Sequence, residues 1–203
     1  DIVHSSIDVF DTIVAELLPT PSKSHYTFNL RDLAKIFQGL LMIDPKKINE
    51  KDQLARCWVH ENLRVFGDRL TCDEDRNWLH DVLEKHISGT LNLTWSDVVP
   101  HPRLIMGDFM NPDVEPASRV YEEIEDVSKL KIVVEEYLND HNAESKQPMP
   151  LVMFTDALEH VAKIARVLRQ PQGNALLLGV GGSGRQSMTK LATYIMGFEL
   201  SVV

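Results

Sequence analysis

Gly179-Val180-Gly181-Gly182-Ser183-Gly184-Arg185-Gln186-Ser187 is the stretch that decides the fold of this 203-residue chain. A short apolar run, Ala175-Leu176-Leu177-Leu178, precedes it. Behind it, Met188, Leu191, Ala192 and Ile195 recur at helical steps. Apolar run, glycine loop and helix together make the pattern of a phosphate-binding loop. Glycines reach the positive φ angles that turn successive backbone N–H groups inward. Those N–H groups and the helix N-terminus then hold phosphate oxygens. Flanked by Gly173 and Gly179, the apolar run predicts a buried parallel strand. Residues 198–203 predict a second strand, so that strand, loop, helix and strand form one βαβ unit. Gly184 is expected to lack room for a Cβ.

Two side chains depart from the usual loop. Arg185 stands where a Lys normally meets the outer phosphates, and Gln186 stands where a Ser or Thr binds Mg²⁺. Ser187 follows one position later. A guanidinium is larger, planar and forked, and does not take the tight position of an ammonium. The cradle is therefore retained while its chemical side chains are altered. Nucleotide retention with weak or absent hydrolysis is the expected outcome, with ATP or ADP as ligand and Mg²⁺ left open. The bland alternative is a Gly-rich turn that binds nothing.

Upstream, the pattern is helical. Ile2, Val3, Ile7, Phe10, Ile13, Val14 and Leu17 fit one face of a helix that Pro19 and Pro21 stop. Asn29 is a candidate N-cap for a second helix carrying Leu30, Leu33, Phe37, Leu40 and Leu41, closed by Asp44-Pro45. Arg31 and Asp32 sit in its first turn. A third helix spans about 51–65, with Leu54, Trp58 and Val65 on one side. A fourth starts near Asp73 and carries Trp78, Leu79, Val82, Leu83 and Ile87. Residues 89–118 contain Gly89, Pro100, Pro102, Gly107, Pro112 and Pro116, which break any helix. They read as a crossing segment, with 98–99 and 104–106 docking as short extended pieces. Tyr121, Ile124, Val127, Leu130, Val134, Tyr137 and Leu138 predict a fifth helix. Thr155 is a candidate cap for a sixth, with Leu158, Val161, Ile164, Ala165 and Leu168.

Composition narrows the function. The net charge is −9 and 43% of residues are apolar, so the chain has the material for a core and no clustered basic surface for nucleic acid or acidic membranes. No run of about 20 apolar residues spans a membrane. Cys57 and Cys72 lack metal-ligand spacing and read as reduced structural residues. His60-Glu61 is no zinc motif, because position 64 is Arg rather than His; a hydrogen-bonded pair such as Glu61 with Arg64 is expected instead. The start at Asp1 rather than Met, and the apolar end Ser201-Val202-Val203, suggest a piece of a larger protein.

With these residues assembled, the chain resembles a dynein heavy chain of the axonemal type. The loop at 179–187 resembles the phosphate loop of the fourth AAA+ module of such motors. Leu151-Val-Met-Phe-Thr-Asp-Ala-Leu-Glu-His160 and Arg166-Val-Leu-Arg-Gln-Pro-Gln-Gly-Asn174 resemble that module's opening helix. His25-Tyr-Thr-Phe-Asn-Leu-Arg-Asp32, Phe37-Gln-Gly39, Trp58-Val-His-Glu61 and Arg64-Val-Phe-Gly-Asp-Arg-Leu70 resemble a lid of the third module.

The resemblance implies a mostly α chain: residues 1–90 a helical AAA+ lid, 91–118 a crossing linker, and 119–203 the start of an α/β P-loop large subdomain. It implies that Arg31 senses the phosphates of the third module's nucleotide, and that adenine at the fourth site sits near Leu151 and Val152. No catalytic or metal-binding residue is expected, since both nucleotide sites are only partly present. Neighbouring AAA+ modules are the implied direct partners. Microtubules and the intermediate and light chains would be met through the parent motor, in the cytoskeleton of the ciliary axoneme. The coiled-coil stalk belongs to other parts of such a motor. The remaining alternatives are a self-contained P-loop ATPase and a helical scaffold with an inert turn.

Overall fold

A computed structural model describes residues 1–101 and 103–202. The Pro102 helix break and the Val203 end of the second expected strand lie outside the described residues. The chain separates into two compact units, Asp1–Leu104 and Ile105–Val203.

The first unit is a helical bundle. Helix α1 (Ile2–Glu16) buries Val9, Phe10 and Ile13. Helix α2 (Leu30–Leu40) begins at a capping box: Asn29 accepts from the Arg31 backbone, and Asp32 reaches back to the Asn29 N–H at 3.1 Å. Its buried face is led by Ile36 and Asp32, whereas Leu30 and Leu41 are exposed. The apolar face is thus narrower than the leucine spacing predicts. Asp32 turns inward because Arg69 holds both its oxygens, at 2.5 and 3.1 Å.

Helix α3 (Lys51–Val65) runs through the centre, with Trp58 fully buried. The Trp58 indole N–H donates to Ser6 Oγ at 2.9 Å, which satisfies the one polar atom of this large side chain. Leu54, expected on the same face, lies at the surface. Helix α4 (Asp73–His86) carries Asp73, Glu74 and Asp75 in its first turn, where the helix dipole favours them, and buries Leu79 and Leu83. Trp78 is only half-buried. A π-turn (Ile87–Leu91) follows and ends at Asn92, whose φ of 53° suits an Asn. Val98 does not dock as an extended piece; it closes the short helix α5 (Trp95–Val98), which Thr94 caps.

Glu61 is buried against Gly39 of α2 and pairs with its neighbour His60 at 3.0 Å. Arg64 lies 3.4 Å from Asp68, one turn further on.

The second unit opens with an irregular strap. Strand β1 (Met106–Gly107) pairs antiparallel with β2 (Glu122–Glu123). This corrects the fifth expected helix. It begins only at Val127, because Tyr121 to Glu123 are spent on the ribbon and Asp126 caps the Ser128 and Lys129 N–H groups. Helix α6 (Val127–Glu144) packs with α7 (Thr155–Arg169) and α8 (Arg185–Ile195) around Leu130, Val134, Leu158, Val161, Leu191 and Ile195. Each such fully buried side chain contributes roughly 1.5–3 kcal/mol. Thr155 is the first residue of α7 rather than its cap; Phe154 occupies the N-cap position and supplies no side-chain bond.

The two expected parallel strands do not form. Residues 174–180 and 198–202 are irregular, with Leu176 and Leu178 each 83% exposed. A strand exists only where another backbone takes its hydrogen bonds, and among the described residues no strand pairs with either segment. The chain is therefore mostly α, as expected, with the short β1–β2 ribbon as the one sheet among the described residues.

Candidate nucleotide-binding loop

Helix α8 starts at Arg185, two residues ahead of the expected Ser187, so Gly184 is its N-cap. Gly182 and Gly184 have φ of 79° and 77°, the left-handed region that favours glycine. The correction concerns space. A Cβ on Gly184 would meet only Met188 Cε, at 3.7 Å, and one on Gly181 or Gly182 would meet nothing within 4 Å. Gly184 is required by its backbone angle, not by crowding.

The backbone donors fit a phosphate. The Ser183 N–H turns back to the Val180 carbonyl at 3.4 Å. The N–H groups of Gly181, Gly182 and Gly184 have no protein acceptor among the described residues. They lie just ahead of an eleven-residue helix, Gly184 as its N-cap, where the dipole favours an anion. The side chains of residues 179–183 are exposed, Arg185 and Ser187 are half-buried, and Gln186 is exposed. The fit to Mg²⁺ is weaker. An amide stands at the hydroxyl position, and among the described residues no cluster of three or more His, Cys, Asp or Glu side chains is placed to hold a metal.

The Arg185 guanidinium folds over its own loop. It donates to the Leu177 carbonyl at 3.3 Å and to the Val180 carbonyl at 3.1 Å. Along α8, the Thr189 hydroxyl donates to the Arg185 carbonyl and that of Thr193 to Thr189, both at 2.8 Å. The Tyr194 hydroxyl donates to Glu144 at 3.4 Å; burial first, then the nearby Glu144 and Asp140, push its pKa up. The helix ends in a Schellman motif. Gly197, at φ 71°, donates to Tyr194 O at 2.9 Å, and Phe198 donates to Thr193 O at 3.0 Å.

Residues 179–187 are thus brought together as one loop. Leu151 and Val152 lie in the extended segment ahead of α7, Leu151 half-buried and Val152 79% exposed. Arg31 belongs to the first unit, exposed in the first turn of α2. The cation that opposes the helix dipole there is offset by the adjacent Asp32 carboxylate.

With the loop, its helix and the bundle before it described, likeness to known proteins adds the family. Residues 149–203 match the family described as the P-loop containing dynein motor region D4, and residues 2–98 match the AAA+ lid domain. Dynein axonemal heavy chain 1 of Homo sapiens is 50% identical over 198 residues, and that of Mus musculus 48%. Dynein axonemal heavy chain 6 of Homo sapiens is 44% identical over 202 residues. The chain belongs to the axonemal dynein heavy chains. Each of these alignments covers 98% of this chain and 5% of the relative, so the chain spans about a twentieth of their length. Its helical first unit is an AAA+ lid, and its loop lies in the D4 region of the motor ring.

One feature of the second unit carries no sequence pattern. Arg119, 8% exposed, donates from Nε to Val114 O at 2.9 Å and from Nη1 to Ile195 O at 2.6 Å. Its guanidinium also lies over the Tyr137 ring, 5.8 Å from the centroid. Arg169 of α7 pairs with the buried Asp108 and donates to the Arg119 carbonyl at 3.3 Å. These residues sit in or next to the irregular strap, where no periodicity marks them.

Proposed function

We propose that this chain serves in the motor ring of an axonemal dynein, a minus-end-directed microtubule motor that drives ciliary beating, and that its loop holds ATP or ADP as a regulatory ligand. One observation supports the nucleotide reading: among the described residues the N–H groups of Gly181, Gly182 and Gly184 have no protein acceptor just ahead of α8, in a loop where Gly182 and Gly184 take positive φ. Residues 179–187 form the phosphate site. Leu151 and Val152 lie toward the base, and Arg31 answers to a different nucleotide, that of the lid's own module.

In this reading, residues 1–90 act as the lid of a third-like module, 91–118 cross over, and 119–203 begin a fourth-like module. The crossing segment passes lid movement to the D4 loop. The pins at Asp108 and Arg119, which tie the strap to α7 and α8, support that role. Rigid-body motion of packed units is an established way to transmit such a signal. The direct partners are neighbouring modules of the same heavy chain; microtubules and the intermediate and light chains are met through the whole motor, in the ciliary axoneme.

Hydrolysis by this chain is not part of the proposal, because Arg185 and Gln186 replace the side chains that usually meet the outer phosphates and Mg²⁺. Titration of ATP and ADP with a parallel phosphate-release assay tests the reading. Saturable binding without multiple turnover supports it. Sustained turnover would instead favour a self-contained ATPase, and absence of binding an inert turn.

A further inference from the structure

We infer that Arg185 is a positioning residue that braces the phosphate loop from within. Its two terminal nitrogens hold two different carbonyls: Nη1 that of Leu177 at 3.3 Å, Nη2 that of Val180 at 3.1 Å. Leu177 lies on the extended arm before the loop, and Val180 lies in the loop itself. The planar fork of a guanidinium can span the two acceptors at once. An ammonium ends in one nitrogen and does not reproduce that geometry.

Two further observations fit a brace. The Arg185 side chain crosses directly over Gly179, where an added Cβ would lie 3.4 Å from Arg185 Cδ, 3.5 Å from its Nε and 3.2 Å from Ser183 Oγ. Val180 O also accepts the Ser183 N–H at 3.4 Å, so this carbonyl is pinned from both the helix side and the loop side. The upstream arm has no strand partner among the described residues. The guanidinium is therefore a tether joining that arm to α8. Two of its five N–H donors are committed, and the remaining ones are available to an anion.

The consequence for nucleotide rests on the phosphate-loop reading above, and it runs against the usual rule. Lys is the residue that ordinarily strengthens such a loop. Here Arg185→Lys removes the brace, so it loosens the loop and weakens binding.

The test uses the full chain as wild type, Arg185→Lys and Arg185→Ala. Millisecond amide exchange is measured at Ser183, whose N–H is held by the braced Val180 carbonyl, with the amides of α6 and α7 as the internal control for folding, and ADP binding is followed by calorimetry. Both variants are expected to exchange about five- to tenfold faster at Ser183, the scale of one lost hydrogen bond, with α6 and α7 unchanged. Arg185→Lys is expected to bind ADP several-fold more weakly than wild type. Unchanged loop exchange in Arg185→Lys, or tighter ADP binding, overturns the brace. Faster exchange in a chain whose wild type does not bind ADP upholds the brace and removes the nucleotide reading instead.

Discussion

The Arg119 guanidinium donates to the carbonyl of Ile195, the last residue of α8, at 2.6 Å. The glycine loop proposed to hold phosphate leads into that same helix. A side chain from the strap thus holds the far end of the element that carries the site. A cation at a helix C-terminus also meets the negative end of the dipole, which offsets part of the cost of burying it. Arg119→Ala orphans the Val114 and Ile195 carbonyls. We expect a loss of about 2–3 kcal/mol in urea unfolding of the chain, near the upper end for hydrogen bonds made by a charged group.

Gly184→Ala separates backbone angle from space. There is room for a methyl group, since Met188 Cε would be 3.7 Å away, but φ is 77°. Holding an L-residue there costs about 1–2 kcal/mol. Gly184→Ala should reduce nucleotide affinity measurably in calorimetry. Gly181→Ala, where no positive φ is required and a Cβ meets nothing within 4 Å, should leave it nearly unchanged.

In the lid, Gly39 is buried in α2 directly against the Glu61 carboxylate, so that an added Cβ would overlap it. Gly39→Ala forces a buried charged group to move. Helix propensity favours Ala by about 1 kcal/mol, but displacing the carboxylate costs more, and a net loss of about 1–3 kcal/mol is expected. Thermal unfolding of the variant checks the sign.

Acid should act on the lid through Asp75. Partial burial works against its charge, yet hydrogen bonds from Lys23, Cys72 and Tyr26 hold its pKa down to about 2, against 3.8 ordinarily. A carboxyl with a lower pKa folded than unfolded gives its full stabilisation above the unfolded value and loses it as pH falls toward the folded one. The window therefore runs from about pH 4 to about pH 2. Urea midpoints across it should fall more steeply for wild type than for Asp75→Asn.

The sequence made the helices legible because their apolar spacing is local. The spacing over about 51–65 predicts the helix that forms at Lys51–Val65, and the place of Asn29 before Leu30 predicts the cap that forms there. The glycine loop and the helix behind it are legible for the same reason, since they are contiguous. Readings failed where structure depends on a distant partner. Leu176 to Leu178 have the composition of a buried strand, but a strand also needs a neighbouring backbone. Glu122 and Glu123 pair with Met106 and Gly107 across a long loop, which helical spacing from Tyr121 concealed. Arg119 and Asp108 carry no pattern, because they act on a helix end and on Arg169 far along the chain.

Calorimetric titration of ADP into the wild-type chain and into Gly184→Val tests the central claim most directly. The account predicts saturable, one-site binding to wild type that is lost in the variant, because a β-branched residue does not hold the positive φ the loop requires. Equal binding by both chains would contradict the assignment of residues 179–187 as the nucleotide site.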